Sequence, residues 1–220
     1  MALVEAVCVV HEVHHDEGGD VGETAIDKRP VPGRVPVLQL GLHGDKQLDL
    51  EHHGGRDQAV YVYAGEDASW WAGQLERDVP AGLFGENLRT TGLDVTGALI
   101  GERWRIGEAD EGAVLEVTAP RIPCATFQRW LDEPQWVKRF TEHGAPGAYL
   151  RVLREGSVAA GDRIEVEHRP QHGVRITDCF PRLSPEHAQR LLDSEDAGEV
   201  QLHADLRRRS ELAAARAASV

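Results

Sequence analysis

The 220 residues carry 24 basic and 37 acidic side chains, a formal net charge of −13 at pH 7, which turns a repelling surface toward nucleic-acid polymers and anionic membranes. The length suits one large or two small domains with a proper core, and no apolar run approaches the ~18–20 residues that span a bilayer. Cys8, Cys124 and Cys179 are too few and too scattered for a disulfide framework, and the opening MALVEAVCVVHEV lacks the basic start and cleavage site of an export signal, so the expected compartment is the cytoplasm.

In chain order, short runs rich in β-formers stand at 3–10, 35–40, 60–63, 104–106, 114–118, 149–153 and 163–167, each bounded by Gly, Pro, Asp or Asn. The run RIEVE at 163–167 alternates polar and apolar residues as a half-buried strand does. Two helices are predicted among them, at 66–77 after an acidic start and at 134–143 between Pro134 and Gly144. Further on, Ser184-Pro185-Glu186 has the order of an N-cap, a first-turn proline and an acidic first turn. An Ala-, Leu- and Arg-rich helix is predicted at 202–218. These elements predict a mainly β fold, a barrel or sandwich over 1–170, followed by a small helical extension over 171–220.

Three stretches differ from ordinary connectors. In His52-His53-Gly54-Gly55-Arg56-Asp57 the paired glycines allow close backbone approach, and His53 and Asp57 can orient one another or bind a metal; the same residues also make a Gly-Gly turn with solvated histidines. Phe84-Gly85-Glu86-Asn87 sets a carboxylate and an amide beside a flexible backbone position, although a plain turn needs no more than these residues. Pro120-Arg121-Ile122-Pro123-Cys124 presents a thiol on a stiffened loop next to a cation that favours its thiolate form. Cys8 and Cys179 read instead as small buried hydrophobes. Lys28, Arg29 and Arg34 fall within seven residues and, with Arg56 and Arg121, supply the local positive charge that a small anionic ligand requires in so acidic a chain. A solvated linker would show the same composition.

The segments TAIDKRPV, GLHGD, HHGGRDQAVYVY, FGENL, TGALIGERWRIG and PRIPC, in this order over roughly 3–169, resemble the MOSC domain family, the domain related to the C-terminal part of molybdenum cofactor sulfurases, and within it the stand-alone bacterial YiiM-like members. The final helices are similar to an abbreviated form of the small helical extension found in some members. The resemblance implies a barrel-like core that holds a molybdenum–pterin cofactor, the Mo-molybdopterin form, in a cleft. It further implies that Cys124 ligates molybdenum through sulfur, a soft donor suited to that metal. Lys28, Arg29 and Arg34 would meet the pterin phosphate, His53, Gly54, Gly55, Arg56 and Asp57 would wall the cleft, Glu86 and Asn87 would bond the pterin or brace the cysteine loop, and Arg121 would stand beside the thiol.

By the same resemblance the reaction is two-electron reduction of a small N-hydroxylated base or related N-oxygenated compound, with His53 or Asp57 as candidate proton donor. The alternative is a molybdenum cofactor carrier or sulfur-transfer protein that uses Cys124 as a persulfide. Pyridoxal phosphate binding is not expected of the isolated domain. The chain has no four-cysteine iron–sulfur pattern and no Gly-rich dinucleotide fingerprint, so an external redox protein is the expected electron donor. Neither CxxC nor GxSxG occurs.

Overall fold

The computed structural model describes residues 1–48 and 54–217. Its first apolar run continues well beyond residue 10: β1 occupies Leu3–His15 and pairs with β2, Glu23–Pro30, through two register shifts that bend the pair. The basic segment 28–34, where prolines and charges predict an extended linker, is therefore strand over Lys28–Pro30 and leaves the sheet after that. β3 (Val35–Leu38), β4 (Gly41–Leu42) and β10 (Gly156–Val158) form a separate three-stranded sheet.

The remaining strands are β5 (Val60–Ala64), β6 (Leu88–Thr91), β7 (Arg103–Ile106), β8 (Ala113–Pro120), β9 (Ala148–Arg154) and β11 (Ile164–His168). With β1 and β2 they make an eight-stranded sheet in the order β11-β7-β8-β9-β5-β6-β1-β2. Its pairs are antiparallel apart from β5 beside β6. The mainly β class holds, but the expected closure into a barrel does not. β1 spends its first half on β6 and its second on β2, and the chain just before β11 meets it at an isolated bridge between Leu3 and Arg163.

β5 shows how the sequence divides the interior. VYVYA alternates β-branched and aromatic residues, and successive side chains point to opposite faces. Val60 and Val62 join the large aliphatic core, while Tyr61 and Tyr63 face an aromatic one built with Trp71, Phe84, Phe127, Trp136 and Phe140. Helices α1 (Gly65–Leu75), α2 (Ala125–Leu131) and α3 (Trp136–His143) contribute Trp71, Phe127, and Trp136 with Phe140 to that second core. Helix α4, Pro185–Asp196, begins as its sequence predicts, with Ser184 Oγ accepting the His187 N–H at 3.1 Å. Helix α5 follows at Ala204–Ala217. Leu191, Val200, Leu202 and Leu206 from this C-terminal region pack in the same cluster as the sheet.

The turn before β6 is fixed by a buried carboxylate. Glu86 is fully buried and accepts the backbone N–H groups of Gly82 at 2.8 Å and Phe84 at 3.0 Å. Gly82 has φ +88°, and a Cβ placed there would lie 2.2 Å from the Lys28 carbonyl oxygen. Gly82→Ala combines left-handed strain with a backbone clash and should cost at least ~2 kcal/mol. Urea unfolding checks this, and an unchanged midpoint would show that the turn yields freely.

Candidate functional site

Cys124 immediately precedes α2 in extended backbone conformation, φ −122° and ψ 173°. It is partly exposed, whereas Cys8 and Cys179 are fully buried and burial pushes each of their thiols up to about 12. The two core thiols stay protonated at neutral pH, and Cys124 is the one that meets a cavity. That cavity has a volume of about 150 Å³, and its wall includes Lys28, Lys46, Tyr61, Asn87, Arg121 and Cys124.

Arg121 is the buried cation of the site. Its guanidinium carbon lies 3.6 Å from the Phe127 ring centroid and 5.3 Å from that of Tyr61. Burial works against the charge, yet the electronegative Tyr61 and Tyr149 oxygens and the Cys124 sulfur around it outweigh burial and hold the guanidinium above its ordinary pKa. One of its nitrogens, Nη1, is buried with no hydrogen-bond partner. A buried donor left without an acceptor costs ~1–3 kcal/mol, so it marks a place that an acceptor would fill.

Two further contacts shape the wall. Asp16, between β1 and β2, accepts from Arg129 at 2.6 and 2.8 Å and from the Thr126 hydroxyl at 2.7 Å, tying that connection to α2. The Arg129 hydrogen bonds hold the Asp16 carboxyl below its usual value. Asn87 is a three-way brace: its Oδ1 accepts the Tyr61 N–H at 3.0 Å, and its Nδ2 donates to Asp45 at 2.7 Å and to the Cys8 carbonyl at 3.3 Å.

The structure brings some of the sequence candidates together and separates others. Lys28, Asn87, Arg121 and Cys124 share the cavity, with the Lys28 ammonium 2.6 Å from Asp45. Arg29, the next residue on β2, points away by the strand's two-residue period and forms a two-point ion pair with Asp27. Arg34 is paired with Asp162 at 2.8 and 2.9 Å, and Arg56 donates to Gln39 at 3.0 Å; both are exposed. Glu86 bonds its own turn and Arg89 rather than the cavity.

In the Gly-rich turn, Gly55 adopts φ +83° and donates its N–H to Gln47 at 2.9 Å. Asp57 faces Arg151 at 3.4 Å, Gly54 lines a second cavity, and His53 lies outside the described residues. Sequence reasoning missed Lys46, Tyr61, Gln58 and Tyr149 as wall residues. The tyrosines carried a signal, since inward-facing aromatics on strands leading into glycine turns are candidates for a ligand wall.

A family model described as MOSC domain matches residues 49–165. The uncharacterized protein YflK of Bacillus subtilis is 36% identical over 154 residues, 70% of this chain and 68% of that protein. Protein YiiM of Escherichia coli is 32% identical over 149 residues, 66% of this chain and 65% of its own length. A protein of Gibberella moniliformis named "Reductase" is 30% identical over 178 residues, 80% of this chain but 29% of that longer protein. Among solved structures, YiiM from Geobacillus stearothermophilus superposes with a TM-score of 0.72 at 23% identity, covering 96% of this chain and 98% of the other, which shows a shared fold. Family-model match, relatives and fold all agree, and with them this chain belongs to the MOSC domain family, a family associated with the molybdenum cofactor.

Proposed function

We propose that the chain is a molybdenum-cofactor-dependent reductase of N-hydroxylated bases or related N-oxygenated compounds. The observation that carries this is the joint placement of the Cys124 thiol and the buried, incompletely bonded Arg121 guanidinium in one cavity wall. A molybdenum–pterin group needs a soft sulfur donor for its metal and hydrogen-bond donors with positive charge for its pterin and phosphate. Cys124 answers the first need, and Arg121, Lys28 and Lys46 answer the second. The enclosed volume, about 150 Å³, is below that of a typical whole-ligand pocket, so it fits one end of such a group rather than all of it.

When bound, that group supplies the two-electron chemistry by which R–NHOH, two electrons and two protons become R–NH₂ and water. The chain's own residues do the rest. Cys124 offers a thiolate ligand, which the neighbouring Arg121 charge favours. Tyr61 and Phe84 restrict water, and Asn87 holds the glutamate turn against β5 and β1 so that the wall keeps its shape. Asp57 is held toward Arg151 and does not join the cavity wall. The electrons enter from a separate redox protein. The Gibberella protein's name supports an oxidoreductase reading for the family branch.

The test is elemental analysis of gently isolated protein beside a Cys124→Ser variant, with turnover of an N-hydroxylated compound measured using an artificial electron donor. Wild type should hold molybdenum and turn over, and the variant should hold at least about tenfold less. Wild type without molybdenum from cells that supply it, or equal content in the variant, overturns the proposal. Sulfane sulfur on Cys124 without turnover would establish the carrier instead.

A further inference from the structure

The cavity beside Cys124 is closed on one side by the connection between β1 and β2. Gly19, Asp20 and Val21 belong to its wall, yet of residues 16–22 Asp16 alone is buried, and none of the seven joins either hydrophobic core. The connection reads DEGGDVG, with Gly18, Gly19 and Gly22 among its residues, and its backbone bonds run within itself. The Gly22 carbonyl accepts the Asp16 N–H at 2.9 Å, and the Asp16 and Gly19 carbonyls accept the Gly19 and Gly22 N–H groups at 2.9 and 3.1 Å. Exposed backbone bonds without apolar packing mark a segment that opens on its own.

One side chain fixes this segment to the rest of the molecule. The Asp16 carboxylate accepts from Thr126 and Arg129, both on α2, the helix that Cys124 immediately precedes. Gly18 lets the backbone lie against the same guanidinium, since a Cβ there would meet Arg129 Cζ at 2.9 Å. Nearer the sheet, the β1–β2 ladder shifts register between Val10 and Glu12 and again between Glu12 and His14. Each shift leaves a residue outside the ladder and lets the strand bend. Past these shifts the His14 ring packs against Trp130 of α2, with centroids 5.3 Å apart. The arm thus has a weakened base, a glycine-rich tip and a charged catch on the cysteine's own helix.

We propose that residues 16–22 are a hinged lid over Cys124, latched by the Asp16 carboxylate on Arg129 and Thr126, and that unlatching admits to the thiol groups too bulky for the closed cavity. The closed space, about 150 Å³, is smaller than a whole-ligand pocket, so anything larger enters only when this side opens. Charge-assisted hydrogen bonds of this kind shift an open–closed equilibrium by at least about tenfold, which keeps the lid shut at rest. A ligand that offers Arg129 another acceptor replaces Asp16 and favours the open state. The lid does not depend on which ligand passes it, so it stands apart from the reductase reading.

Alkylation of Cys124 in the full chain, read by peptide mass, tests this with two reagents that share one reactive head: iodoacetamide and its neutral, much larger N-pyrenyl derivative. Each rate is divided by that of the same reagent with free cysteine. Cys8 and Cys179, both buried, stay unmodified while the fold is intact. On wild type, iodoacetamide should react at least about tenfold faster than the pyrenyl reagent. Asp16→Ala should speed the pyrenyl reagent at least about tenfold and iodoacetamide by no more than about threefold. Freeing Arg129 also alters the thiolate fraction of Cys124, but that change acts on both reagents alike. Amide exchange over 16–22 should quicken in the same variant while that of β8 and β9 stays as in wild type. Equal rates of the two reagents on wild type, equal acceleration of both by Asp16→Ala, an unchanged pyrenyl rate in the variant, or unaltered exchange over 16–22 each overturns the lid. The wild-type comparison stands even where the variant folds poorly.

Discussion

Replacing Glu86 by alanine should cost the fold ~3–5 kcal/mol, the range found when one member of a buried ion pair is removed. Glu86 is 0% exposed and Arg89 3%. The Arg89 Nε donates to Glu86 at 2.8 Å, and its Nη2 makes a second, short contact to the same oxygen. Alanine would leave Arg89 with only the Val79 and Pro80 carbonyls, and would also strip the Gly82 and Phe84 N–H groups of their acceptor. Glu86→Gln keeps the volume and one acceptor oxygen while removing the charge, and should fall between wild type and alanine. Denaturant titration followed by tryptophan fluorescence reads both variants, because Trp71 and Trp136 lie in the core that the turn supports. A loss below ~1 kcal/mol for alanine would mean that the turn and Arg89 find other partners.

This carboxylate also shows where the sequence stopped being informative. FGEN was legible as a special turn, and the resemblance assigned its Glu to a pterin or to bracing the cysteine loop. Which backbone groups Glu86 bonds depends on a turn closing over two residues and on Arg89 returning from β6, contacts that no local pattern contains. The strands at 60–63, 114–118 and 149–153 were legible because apolar and β-branched residues cluster between turn formers. β2 was not, since TAIDKRP ends in charge and proline and takes its order from pairing with β1. Helix α2 left a usable signal, Phe127 and Leu131 four apart and both buried, obscured by the two prolines just before it. Of the basic residues, only the strand period separates Lys28 from Arg29, and only contacts distant in sequence assign Arg34 to Asp162. Cys124 was legible by its loop, whereas the cavity between the end of β8 and α5 needed a helix some 80 residues further on to be folded back onto the sheet.

Arg121→Met should separate stability from binding. Burying a guanidinium costs several kcal/mol, and Arg121 recovers part of that from its stacking on Phe127 while one donor stays unpartnered. Methionine fills similar space with no polar atom, so the unfolding midpoint should hold or rise, with a gain of up to ~1–4 kcal/mol as in other replacements of buried charge by apolar groups. Molybdenum content should move the other way and fall at least about tenfold, because the positive charge beside Cys124 and the open donor disappear together. Arg121→Lys should lose the cofactor as well, since an ammonium cannot reproduce the planar stack. Urea unfolding and elemental analysis on the same preparations give the answer. A marked loss of stability with molybdenum retained would make Arg121 a structural cation clamped between Phe127 and Tyr61. The opposite pair of results means that the protein keeps a costly buried charge because the cavity it faces binds an anion.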